Sequence, residues 1–148
     1  MRNILFFAAI ALLGLVYSCK KESTPEDPKP EERIIGRWKA SKAVIGTKDV
    51  LIPTATLKTE LEVEFFNDKT VVFHWMNTIL TSNPPGMSES MLNGVYSFDG
   101  DVITIAVTSG MDTKTVIGPI EITETSLVFT ATSGDVSSFI NLMEADKL

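Results

Sequence analysis

Between residues 57 and 66 apolar and charged side chains alternate, with Leu57, Thr59, Leu61, Val63 and Phe65 on one side and Lys58, Glu60, Glu62 and Glu64 on the other. A period of two is that of an extended strand with one face in a core and the other in water. Three carboxylates so close together invite a catalytic or metal-binding reading. The alternation argues against it: all three share a face with Lys58, opposite Leu61 and Val63, and form a solvated wall.

The rest of the chain repeats this theme in short pieces. A strand is expected from about residue 34 to 45, with Ile34, Gly36, Trp38 and Ala40 facing inward. Val50, Leu51 and Ile52, stopped by Pro53, form a short connection. Residues 71–80 are apolar on both faces: Val71, Phe73, Trp75 and Ile79 on one, Val72, His74, Met76 and Leu80 on the other. Such a strand is either covered outside as well as inside or shows an apolar stripe to a ligand or partner. Residues 81–91 are the longest polar interruption, and Pro84-Pro85-Gly86 argues against regular pairing through it. They are read as a mobile rim loop, with Met87 and Met91 leaning over an opening. Strands follow at 92–98 and 102–108, joined by the hairpin signal Asp99-Gly100. Further strands are expected at 113–123, interrupted by Gly118-Pro119, and at 126–132. Residues 136–144 form a last strand or, by apolar spacing alone, a short helix. About eight strands on short turns make antiparallel neighbours. Eight can close on themselves into an up-and-down β-barrel; an open β-sandwich is the alternative.

Gly36-Arg37-Trp38 opens the first strand, and the glycine, on the face of Trp38, is read as letting a neighbouring strand or ring lie close. This Gly-x-Trp, followed by short alternating strands, resembles the lipocalins, and more closely the small lipocalin-like domains of Bacteroidetes lipoproteins. Phe65-Phe66-Asn67-Asp68-Lys69-Thr70 is similar to the Phe-x-x-Asp-Gly-Thr hairpin of those domains, with Lys69 where glycine is usual. Gly94-Val95-Tyr96 before Asp99-Gly100 is a second point of likeness. Larger lipocalins carry a late arginine over the first-strand tryptophan. The only arginines here are Arg2, Arg33 and Arg37, so an apolar cover over Trp38 is expected.

Ahead of this domain, Met1-Arg2-Asn3 and the apolar run 4–16 have the form of a secretory signal. The run is short for a membrane span. Leu15-Val16-Tyr17-Ser18-Cys19 resembles the bacterial lipobox, which implies cleavage before Cys19 and lipid on that residue. Lys20-Lys21-Glu22, with no aspartate after the cysteine, resembles lipoproteins sorted to an outer membrane, on its periplasmic or its surface face. Residues 20–32 have no large apolar side chain and are rich in proline and charge, so they are read as an extended tether reaching roughly 40 Å. The expected organisation is a signal peptide at 1–18, a lipidated cysteine and tether at 19–32, and a barrel domain at 33–148.

A net charge of −6 and the absence of a basic stripe argue against a sequence-independent grip on nucleic acid. Cys19 is the only cysteine and His74 the only histidine. No thiolate metal site, disulfide framework or paired catalytic constellation follows from them, and neither cofactor nor metal is expected. Two functions remain. One is a non-enzymatic, membrane-anchored binding module holding a small apolar or amphipathic ligand, with Trp38, Phe65, Phe73 or His74, Trp75 and Tyr96 available to line the barrel. The other is a filled barrel whose exterior docks to another cell-envelope component.

Overall fold

The computed structural model describes residues 28–148. A single turn of helix, α1 (Pro30–Arg33), precedes ten strands: β1 (Gly36–Ile45), β2 (Lys48–Asp49), β3 (Leu57–Phe65), β4 (Thr70–Ile79), β5 (Gly86–Asp99), β6 (Val102–Ser109), β7 (Asp112–Ile122), β8 (Ser126–Thr130), β9 (Ser133–Gly134) and β10 (Ile140–Lys147). The eight long strands pair in chain order, every neighbour antiparallel, and β10 returns to pair with β1. That last pairing closes an up-and-down barrel and excludes the open sandwich. The two-residue strands β2 and β9 are side ladders on β1 and β7.

Closure gives the alternating sequence an inside. From β3 the inward side chains Leu61, Val63 and Phe65 are buried, while Glu60, Glu62 and Glu64 stand outside. Glu60 pairs with Lys39 at 3.1 Å and Lys58 at 3.4 Å, and Glu62 with Arg37 at 2.5 Å. These carboxylates are the solvated wall expected of them. Alternation in β1 is interrupted: its pairing with β10 shifts between Ala40 and Lys42, and the buried set runs Trp38, Ala40, Ala43. An extra residue in one strand bends it and changes which parity faces the core.

Several local expectations need correction. The first strand begins at Gly36, not Ile34; Ile34 caps α1 and is fully buried. Pro30, Glu31 and Glu32, expected in the extended tether, form α1 instead, with proline in the first turn where its missing N–H costs nothing. Gly36 has φ +122°, and a Cβ there would meet only Lys147 Cε, at 3.4 Å. Its glycine is required by backbone conformation, not by a close neighbour. The polar stretch 81–91 is no long loop. Its turn ends at residue 85, and β5 pairs with β4 from Gly86↔Ile79 onward. Proline breaks pairing only where it stands, and the Ser-rich residues after it are free to join the ladder. The strand through Gly118-Pro119 is continuous, but its partner changes there, from β9 at Val116 and Ile117 to β8 at Ile120 to Ile122. The C-terminal segment is a strand, starting at Ile140 and not at 136.

One end of the barrel is sealed. Trp38 is fully buried, its Nε1 donates to the Ile34 carbonyl at 2.7 Å, and Lys147 Nζ stands 5.2 Å from the ring centroid. The expected apolar cover is thus a cation and its aliphatic stem, brought over the indole by the last strand. Phe65, Tyr96 and Phe98 stack edge to face beside it, with centroids 5.2 and 6.0 Å apart. Burial pushes the Tyr96 phenol up, and its hydroxyl donates to the Phe66 carbonyl at 2.8 Å. Lys69 has φ 67°, the left-handed conformation for which glycine is usual. From that position its Nζ donates to Glu31 Oε2 at 2.7 Å and lies 5.4 Å from the Tyr96 centroid, tying α1 to the hairpin.

Candidate functional site

The turns after β3, β5 and β7 are short and sit at the sealed end with α1 and the C-terminus. Longer connections, residues 46–56 and 131–139, gather at the other end. There the strand ends and connections border a cavity of about 580 Å³. This is within the size range of small-molecule sites, roughly 300–1,000 Å³.

Its wall is mainly apolar, made by Ile45, Val50, Trp75, Leu92, Val107 and Phe139. Phe139 stacks edge to face on the buried Phe73 at 5.3 Å, and this pair lies between the cavity and the packed interior. Polar groups come from inward positions toward the open ends of the strands and from the connection before β10. Thr59 Oγ1 donates to Asn77 Oδ1 at 2.9 Å across β3 and β4. Ser90 lies opposite Trp75, and Lys114 opposite Val107. Lys114 Nζ donates to Ser138 Oγ at 3.0 Å, linking β7 to the connection that precedes β10. Val50 is held at the mouth by its N–H donating to the Ala43 carbonyl at 2.8 Å.

Of the residues expected to line the barrel, only Trp75 borders this cavity. Trp38, Phe65, Phe73 and Tyr96 are buried and fill the interior below it. They are floor and stopper, because eight strands leave an interior just wide enough for such rings to meet. His74 points outside, on the parity opposite Phe73 and Trp75. Its Nε2 lies 3.5 Å from Glu89 Oε2 and has no well-formed hydrogen bond. Met87 and Met91 are not on a rim loop. They lie on the outer face of β5, beside Thr78 and His74, and are 72% and 62% exposed. Cys19 lies outside the described residues.

The sequence reading missed Lys114, Asn77 and Phe139. A signal for the first two was present: each is a polar residue on the inward parity of its strand, Lys114 with Val116 and Ile120, Asn77 with Phe73 and Trp75. Phe139 had none, since it reaches the wall from a connection. Among the described residues no cluster of three or more metal-ligating side chains occurs, and no helix is long and apolar enough to cross a membrane. Comparison with family models, curated proteins and solved structures found no match.

Proposed function

We propose that this protein is a non-enzymatic binding module, anchored to the outer membrane through a lipidated Cys19, that holds a small apolar or amphipathic molecule in the open end of its barrel. The observation that carries this reading is the contrast between the two ends: one sealed by Trp38, Phe65 and Tyr96, the other open around an apolar cavity with Trp75 in its wall. Burying apolar ligand surface there would contribute about 25 cal/mol per Å² before the costs of association. The described chain begins at the sealed end, where Pro28 lies near Thr123 and Glu124. An anchor upstream of it would hold the barrel by the end opposite the mouth.

The binding reading is tested by tryptophan emission. In a Trp38→Phe variant Trp75 is the sole indole, and titration with a neutral apolar probe such as dodecanol shifts or quenches its emission saturably. Unchanged emission, with no binding by calorimetry, refutes the cavity as a ligand site. For the anchor, Cys19→Ala yields a protein that no longer fractionates with membranes after signal removal. Membrane association equal to wild type refutes lipidation.

A second reading, docking to another envelope component, draws on the outer face of β4 and β5. There Val72, His74 and Met76 are half-buried beside the exposed Met87 and Met91. Met87→Ser with Met91→Ser abolishes capture of envelope proteins under this reading and leaves it unchanged under the first.

A further inference from the structure

We infer that the ligand is an anionic amphiphile, with an aliphatic tail in the cavity and a negatively charged head on Lys114 at its mouth. This rests on the cavity being a ligand site and adds the sign of the ligand's charge.

Among the described residues, Lys114 is the only charged one that borders the cavity. The register holds it inward: it lies opposite Val107, which is buried, and two residues before Val116, also buried. Among the described residues it pairs with no carboxylate; the one partner of its ammonium group is the Ser138 hydroxyl at 3.0 Å. An ammonium group has three donors and accepts nothing, so two remain available. The acids nearby along the chain are otherwise placed. Asp135 accepts from the Thr115 backbone N–H at 2.7 Å, and Asp112, on the inward parity two residues before Lys114, is exposed at the first position of β7, opposite Ser109; neither borders the cavity.

The other polar groups can donate as well. Asn77 Oδ1 accepts from Thr59, and its amide nitrogen is a donor. It stands on β4, three strands around the barrel from Lys114. Ser90 and Ser109 add hydroxyls. A mouth with donors, one cation and no bordering carboxylate stabilises an anionic head and repels a cationic one, although the whole chain carries −6. Local charge, not net charge, selects here.

The test uses three probes with one tail and different heads: dodecanoate, dodecanol and dodecylammonium, each below its micellar concentration. Binding is read from Trp75 emission in the Trp38→Phe protein and by calorimetry. Dodecanoate is expected to bind about tenfold more tightly than dodecanol, equivalent to about 1.4 kcal/mol, and dodecylammonium more weakly than either. Lys114→Met, which keeps the aliphatic stem, removes the advantage of dodecanoate over dodecanol. Equal affinity of wild type for dodecanoate and dodecanol overturns the charge assignment while leaving the cavity reading intact. Binding of none of the three overturns both. An anion preference that survives Lys114→Met in a protein with unchanged circular dichroism overturns the role of this lysine.

Discussion

Replacing Trp38 tests the sealed end of the barrel, because three separable interactions meet on its ring. The side chain is fully buried. A tryptophan buries roughly 200 Å² at about 25 cal/mol per Å², so its transfer contributes about 5 kcal/mol at most. Trp38→Ala is therefore expected to cost about 3 to 5 kcal/mol, the range for large aromatic deletions. That is a large share of the 5 to 15 kcal/mol typical of a domain. Trp38→Phe keeps most of the apolar contact but removes Nε1, which leaves the buried Ile34 carbonyl without its 2.7 Å donor. An orphaned carbonyl costs about 1 to 3 kcal/mol. Lys147→Met keeps the stem over the indole and removes only the cation 5.2 Å from its centroid, a loss of about 0.5 to 1 kcal/mol for this exposed lysine. Urea unfolding followed by far-ultraviolet circular dichroism measures all three without relying on indole emission. The expected order of loss is Trp38→Ala, then Trp38→Phe, then Lys147→Met. A loss under about 1 kcal/mol for Trp38→Ala refutes the sealed end, and equal losses for alanine and phenylalanine refute the division of labour on the ring.

Other predictions concern turns and ladders. A Cβ at Gly118 would lie 1.9 Å from the Thr130 carbonyl oxygen, so Gly118→Ala must displace backbone where β7 changes partner. Hydrogen exchange in that variant is expected to accelerate first at residues 126–134, and unchanged exchange there refutes the close approach. The hydrogen bond from Lys69 holds the Glu31 carboxyl below its ordinary value and raises the Lys69 ammonium. A depressed carboxyl stabilises above its unfolded pKa, and that contribution is lost as pH falls through the folded value. The difference in urea midpoint between wild type and Glu31→Gln is therefore expected to be constant near neutrality and to shrink below about pH 4.5; a gap that persists to pH 2 refutes the pairing. Salt at 1 M narrows the same gap, since both partners are largely exposed.

Much of this protein is legible in its residue order, because a strand's inner and outer faces are set by a local period of two. Leu61, Val63 and Phe65 against Glu60, Glu62 and Glu64 need no knowledge of partners to be sorted, and the turn residues Asp68 and Gly100 mark where the chain reverses. Eight such pieces on short connections suffice to anticipate an antiparallel all-β domain. Closure is different in kind. It depends on β10 finding β1 from 95 to 109 residues away in sequence, across the register shift between Ala40 and Lys42. No local pattern carries that register. The same holds for the site: Trp38 and Trp75 look alike in sequence, both aromatic on an inward parity. One is sealed under Lys147 and the other stands in the wall of a cavity. Inward parity was decided by the chain itself, whereas depth along the barrel axis, and with it the division between packed floor and open mouth, arises only when all eight strands are staggered around one interior.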